Sequence, residues 1–405
     1  MLRANTQALR ETLGDALPER PFNVAFWDGT MLAATNGGAE LTLTVRGPEA
    51  LAHALRAPGQ LGVGRAYVAG LIDVDDIDAA LEVLGNWSPP PLDRGTQARL
   101  AAAAVRATGA AGLMRPPRRP ASELVPRGRR HSAERDKRAV RHHYDLPPEF
   151  FALFLDESMT YSCAVFSRGA KTLEEAQATK LELVCTKLGL QPGERLLDVG
   201  CGWGSFAVHA AREHGVSVVG ITLSEPQARR ARARAEEAGV ADRVEFRVQD
   251  WREIGEERFD AIASIGMVEH VGNASIDDYA VRLARLLEPG GRLLNHGIAR
   301  LRHTDPEAGP FSERYVFPDA APLHLSRVLF ALERAGLAPE HVEGLAADYA
   351  ETLRHWAQRF DDHLEEATAL AGAERVRVWR IYLRAARAGF ERGFTSVFQV
   401  RCRKP

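Results

Sequence analysis

The segment LLDVGCGWGSF (196–206) closes an apolar run on Asp198 and then places Gly200, Gly202 and Gly204 at alternate positions. Glycine lets a backbone approach a ligand where a Cβ would collide, so an apolar strand leading into such a turn is suited to a nucleotide-like ligand. The same residues also make a tight strand–helix turn with no ligand. A dinucleotide enzyme normally ends the next strand on an acid that holds the ribose. Here that place reads Thr222-Leu223-Ser224. The D-x-G-x-G-x-G pattern without a second acid fits the binding turn for S-adenosylmethionine (SAM) better.

Three further segments carry polar groups placed for chemistry. In GITLSEPQ (220–227), Gln227 is placed to bond ribose hydroxyls. Ser224 and Gln227 equally have the S-x-x-Q spacing of a capping box, and both readings stand. In QDW (249–251), Asp250 is an acceptor for an adenine amino group, and Trp251 is either a stacking face or ordinary core. In GMVEHVG (266–272), Glu269 follows a strand at its carboxyl end, where open α/β sheets bind ligands. His296, in LLNHGI, lies on the strand after it. Adjacent strands would make Glu269 and His296 converge as an acid–base pair. The plainer reading of His296 is a hydrogen-bonded core histidine. GMVEHVG lacks the H-E-x-x-H spacing of a zinc site, and Cys163, Cys185, Cys201 and Cys402 form no C-x-x-C pair, so no metal is expected.

The elements that must position these groups alternate in type from about residue 141. Strands are expected at 195–200, 216–222, 243–249, 259–266, 292–298 and 395–403, with helices at 204–215, 225–239, 277–291 and 326–337. Such alternation predicts a parallel sheet with helices on both faces. Residues 1–112 form a smaller α/β domain, with a strand at 41–47 and helices at 48–56, 77–87 and 96–114. Between the two, residues 115–141 hold ten Arg or Lys against three Asp or Glu, with four prolines, so 113–140 reads as a basic linker. It serves either as a solvated tether or as a contact to an anionic membrane surface. The net charge of −2 gives the whole chain no strong pull toward nucleic acid. Scattered thiols, no signal-peptide core and no membrane-length apolar run predict a cytoplasmic protein whose lipid contacts are peripheral.

RHHYDLPPEFFALFLDESMTYSCAVF (141–166), taken with LLDVGCGWG, GITLSEPQ, GMVEHVG and LLNHGI, closely resembles the cyclopropane-fatty-acid synthase family. The resemblance spans 141–405, the catalytic domain, and extends more loosely over 1–112. It implies a class I, Rossmann-type methyltransferase fold that adds a methyl carbon from SAM to the double bond of an unsaturated, phospholipid-borne acyl chain. It also implies a bound bicarbonate ion as base, with ligands at Cys163, Glu269, His296, Ile298 (through its backbone) and Tyr349. The implied SAM contacts are Tyr161, Ser162, Gly200, Gly202, Thr222, Leu223, Gln227 and Trp251. Tyr144, Phe150, Phe151, Phe154, Tyr161 and Phe166 are candidates to line an acyl tunnel, with helix-packing core the alternative for at least half. The N-terminal domain is expected to help acquire acyl chains. A homodimer is compatible with the family, although no residue here supports it.

The chain departs from the family pattern in three places. Ala386 stands in YLRAARAGF where some members carry a cysteine, so no covalent thiol mechanism is expected. NHG replaces LHT around His296, and HYDLPPEFF replaces the commoner Val-Ser-Asn form. The same scaffold also suits a fatty-acid C-methyltransferase that gives methylene-branched chains. A methyltransferase of polar small molecules and a non-catalytic lipid-binding protein are the more distant alternatives.

Overall fold

The computed structural model describes residues 6–35, 41–57, 59–108, 117–125, 128, 132, 134–135, 138, 146–304, 309–320 and 322–405. Tyr144 and much of the basic stretch lie outside these residues. The chain divides into two compact units, Met1–Glu123 with Gly372–Ala385, and Leu124–Ala371 with Ala386–Pro405.

The first unit carries a four-stranded sheet of β1 (Asn23–Ala25), β2 (Met31–Leu32), β3 (Thr42–Val45) and β4 (Ile72–Val74), in the order β2-β1-β3-β4. Phe22, Val24, Leu41, Ile72, Ala103 and Ala107 share its core. GVGRAYV, which reads as a turn region by its glycines, forms the helix Gln60–Val68. Gly62 is needed there, since a Cβ would lie 2.2 Å from the carbonyl oxygen of Ala57. The segment 372–385 belongs to this unit through Arg377, whose guanidinium lies 4.1 Å from the centre of the Tyr67 ring and donates to the Ile72 carbonyl at 2.6 Å. Removing 1–112 therefore takes away only part of the unit.

The second unit is built on seven strands: β5 (Arg195–Val199), β6 (Ser217–Thr222), β7 (Val244–Val248), β8 (Phe259–Ile265), β9 (Leu287–Arg300), β10 (Ala338–Gly344) and β11 (Thr395–Arg403). Their order is β10-β11-β9-β8-β5-β6-β7, and β11 runs antiparallel to both of its neighbours. Strands β5 and β8 are apolar almost throughout because helices cover both faces. One face packs on the helices Leu173–Leu188, Ser205–His214 and Glu225–Glu237, the other on Ile276–Leu286 and Leu325–Arg334. The chain order reverses between β5 and β8. This is the switch point at which such sheets open a crevice at their carboxyl ends.

Local chemistry sets the element ends. Thr172 and Glu175 close a full capping box on the helix Leu173–Leu188, and Gly189 ends it in the left-handed conformation. Strand β9 begins at Leu287 rather than at the expected 292. Residues 288–291 bulge between the pairs Phe259–Leu287 and Ala261–Arg292. Strand β10 (APEHVEG) escapes the apolar pattern because it is an exposed edge strand.

Candidate active site

A cavity lies over the carboxyl ends of β5, β6 and β8. Its lining includes Tyr161, Ser162, Gly200, Gly202, Thr222, Leu223, Gln227, Asp250 and Trp251. These residues come from four separate motifs, brought together by the parallel sheet. Two others from the glycine motif lie outside the lining. Asp198 is buried within β5, and Gly204 starts the helix Ser205–His214 with φ +83°.

The structure bears differently on the open readings of Gln227 and Trp251. Ser224 caps the helix Glu225–Glu237 by accepting from the Gln227 amide. The Gln227 side chain does not return to complete a capping box. Its Oε1 accepts from the Thr222 hydroxyl at 2.7 Å, which leaves the amide NH2 as its donor end. Trp251 serves core and cavity at once, with its edge against Tyr279 at 5.2 Å and Arg252 stacked over it at 4.8 Å. Asp250 accepts from the Arg252 amide at 2.9 Å and pairs with its guanidinium at 2.8 Å.

One wall of the cavity is the strap Met159–Phe166, which has no regular structure and is pinned by side chains. Gln177 donates to the Thr160 and Ser162 carbonyls at 3.1 and 2.9 Å. Asp348 accepts from the Phe166 and Ser167 amides, and Thr352 from Ala164. Lys180 is 1% exposed, lines the cavity and donates to the Ser162 hydroxyl at 2.6 Å. Burial lowers its pKa to about 8, opposed by Asp156 and Asp198 among others. Burial in turn raises Asp198 to about 7. Motif reading missed Gln177 and Lys180. Their sequence signal is two polar residues on the helix face that also carries Leu173, Ala176, Leu181, Val184 and Leu188.

The five residues of the second candidate set lie outside this cavity lining; hydrogen bonds and strand pairing connect four of them, and His296 is on the same strand as Ile298. Strands β8 and β9 are parallel neighbours, so the turn Val268–His270 sits beside the end of β9. The Ile298 amide donates to Glu269 Oε1 at 2.7 Å, so that backbone group holds the carboxylate. Ile298 pairs across the sheet with Val397, whose carbonyl accepts from the Leu345 amide. The Leu345 carbonyl accepts from the Tyr349 amide and, at 3.7 Å, from the Cys163 thiol. Tyr349 lies 4.6 Å from the Phe390 ring. Burial pushes the Cys163 thiol well above its usual range, which disfavours the thiolate. Gly297 permits this crowding, since a Cβ there would lie 2.2 Å from Val268 Cγ1.

Two atoms of the set, Glu269 Oε2 and His296 Nε2, are buried with no hydrogen-bond partner. Burial raises Glu269 from 4.5 to about 7. Between those two pH values the folded protein keeps a proton that the unfolded chain has released, so stability falls as pH rises through the window. Glu269→Gln removes this loss. The variant is expected to match the parent near pH 4.5 and to exceed it by about 3 kcal/mol above pH 7. Urea unfolding at pH 5 and pH 8 measures the gap, and a gap that does not widen with pH would refute the assignment. Asp198 titrates in both proteins and cancels from the difference.

An aromatic cluster backs the strap. Phe150, Phe151 and Phe154 are completely buried, and Phe151 meets Trp203 at 4.8 Å. Tyr161 links this cluster to the cavity, lining the cavity while its ring lies 5.1 Å from Trp356. Phe166 instead stacks on His355 at 5.1 Å.

A mixed seven-stranded sheet in this order, with a glycine turn at its switch point, defines a SAM-dependent methyltransferase. The family model for mycolic acid cyclopropane synthetase matches residues 131–400, and the chain belongs to that family. A probable fatty acid methyltransferase of Mycobacterium tuberculosis is 37% identical over 394 residues, covering 95% of this chain and 91% of the relative. The cyclopropane-fatty-acyl-phospholipid synthase of Escherichia coli is 32% identical over 371 residues, covering 91% and 89%. A solved mycolic acid cyclopropane synthase complexed with SAH and CTAB superposes with a TM-score of 0.63 at 34% identity, covering 66% of this chain and 98% of that one.

Proposed function

We propose that this enzyme joins the methyl carbon of SAM to the double bond of an unsaturated, phospholipid-borne acyl chain and closes a cyclopropane, with bicarbonate as the base. The observation that carries the reading is the pair of buried, unpartnered atoms Glu269 Oε2 and His296 Nε2. Buried polar groups are normally satisfied, so two orphans, one in the turn after β8 and one on the neighbouring strand β9 opposite the last residue of β8, suit a small oxyanion. The names of the relatives, a fatty acid methyltransferase and a cyclopropane-fatty-acyl-phospholipid synthase, supply the substrate class.

The cavity residues suit SAM. Gly200 and Gly202 have positive φ and line the turn, and no atom lies within 4 Å of a Cβ built on Gly202. Trp251 offers a face for the base, Gln227 a donor for the ribose, and Asp250 an acceptor beside them. When bound, SAM supplies an electrophilic sulfonium methyl. As its S–CH3 bond breaks, the methyl carbon would bond to one alkene carbon, releasing S-adenosylhomocysteine and leaving a cation on the other carbon. Loss of a proton from the new methyl then closes the ring. Tyr161, with Trp356 behind it, presents aromatic faces that steady the positive charge. Glu269, held by the Ile298 amide, and His296 hold the anion, with Cys163 and Tyr349 completing its pocket; the anion supplies a weak base placed for that proton. A strong base is not needed, because the cation is itself very acidic.

A second reading, a C-methyltransferase giving methylene-branched chains, is compatible with the name of the 37% identical relative, a probable fatty acid methyltransferase. It uses the same residues, with a hydride shift before proton loss. No described helix is long and apolar enough to cross a membrane, so the acyl chain is proposed to be reached peripherally. Product analysis after incubation with SAM and monounsaturated phospholipid vesicles tests both readings. Acyl chains heavier by one CH2, with upfield cyclopropane protons, are expected. Vinylidene protons would transfer the assignment to the second reading. No mass gain, with SAM still bound, would refute the acyl substrate.

A further inference from the structure

We infer that Gln399, oriented by Lys187, is a positioning residue that fixes His296 as a neutral imidazole with its proton on Nε2. The inference rests on the anion reading above and explains how the chain prepares His296 for that task.

The inference follows from which groups can donate. An ammonium can only donate, and Lys187 Nζ lies 2.6 Å from one end of the Gln399 amide, which must be the oxygen. The other end is therefore the NH2, and it faces His296 Nδ1 at 3.1 Å. Nδ1 must accept, so the single proton of a neutral ring sits on Nε2. Turning the ring over would set a carbon against a buried NH2 and leave that donor unsatisfied. Gln399 is 0% exposed and His296 is 2% exposed, so bulk water does not compete for either partner.

Three elements enforce the arrangement. His296 and Gln399 are directly paired across β9 and β11. Lys187, near the end of the helix Leu173–Leu188, reaches them and is held in turn by Glu343 of β10, which also pairs with Arg168 at 2.9 Å. The charged groups acting on the ring are Lys187 and Lys180 from that helix, with Glu343 behind Lys187, while Glu269 in the turn after β8 bonds two residues further along β9, at the Ile298 amide. A second proton on Nδ1 would point N–H at N–H. Burial, with Lys180 and Lys187 acting in the same direction, also holds the imidazole well below its usual range. His296 thus offers an N–H to an anion and does not act as a base. Its Nε2 is the buried atom that lacks a partner.

Nitrogen-15 NMR of the full-length enzyme labelled at histidine reads this directly, with the His296 signals assigned by their loss in His296→Gln. A protonated Nε2 and a bare Nδ1 are expected at pH 7, and a protonated Nδ1 would overturn the inference. Gln399→Glu keeps the volume and the Lys187 contact but places an acceptor against the ring, so a proton is expected to appear on Nδ1. An unchanged His296 spectrum in that variant would remove Gln399 from its role. If the variant does not fold, the parent spectrum still decides the tautomer. Gln399→Leu should raise the bicarbonate concentration for half-maximal turnover by about tenfold, with the SAM Kd unchanged. The expected tautomer in a parent enzyme indifferent to bicarbonate would support the relay and refute the anion reading instead.

Discussion

Glu269→Gln is expected to lower kcat by about a thousandfold while leaving the SAM Kd unchanged. The substitution is nearly isosteric. Its amide oxygen can still accept from the Ile298 amide, as Glu269 Oε1 does at 2.7 Å, so the turn Val268–His270 keeps its place. What changes is the second atom, Oε2, which is buried and unpartnered. An NH2 there can neither accept a hydrogen bond nor carry negative charge toward a developing cation. Glu269 is not among the residues lining the SAM cavity, so calorimetric binding of SAM should be unaffected. The same variant is expected to be more stable than the parent at neutral pH, which excludes unfolding as the cause of lost turnover. A kcat within tenfold of the parent would sink the catalytic role given to this carboxylate.

The glycine turn supports an equally large and more selective prediction. Gly202→Ala should weaken SAM binding by about a hundredfold yet cost only about 1–2 kcal/mol of stability. Gly202 has φ +54°, lines the cavity and has no atom within 4 Å of a built Cβ, so the added methyl would clash with little besides a bound ligand. Gly204→Ala should behave in the opposite sense. Its Cβ would lie 2.8 Å from Phe246 Cζ and 2.9 Å from Ala231 Cβ, at φ +83°. Overpacking and left-handed strain together cost about 3 kcal/mol or more. Thermal unfolding and SAM titration of both variants separate the two roles. Normal SAM affinity in Gly202→Ala would show that the turn is not the cofactor cradle. An unchanged unfolding midpoint in Gly204→Ala would show that the helix Ser205–His214 can shift away from Phe246.

Much of this molecule was legible from local pattern. Strands such as RLLDV and FDAIASI are buried on both faces and so appear as unbroken apolar runs, and glycines mark the turn where β5 gives way to its helix. The position of Glu269 just after β8 and of His296 in β9 follows from the same alternation. Side-chain partners followed a different rule. Gln227 fits the spacing of a capping box, yet its side chain turns to Thr222. Gly202 and Gly204 are alike in the motif, and only the packing of Phe246 and Ala231 separates their roles. The late segment 372–385 lies far from residues 1–123 in sequence but folds with them. Lys187 and Gln399 are 212 residues apart, and Gln399 and His296 are 103 apart. Periodicity and short motifs report which face of an element meets the core, because that depends on neighbours a few residues away. Which donor meets which acceptor depends on strand order and helix placement, so the protonation of His296 was decided only when β9, β11 and the helix Leu173–Leu188 came together.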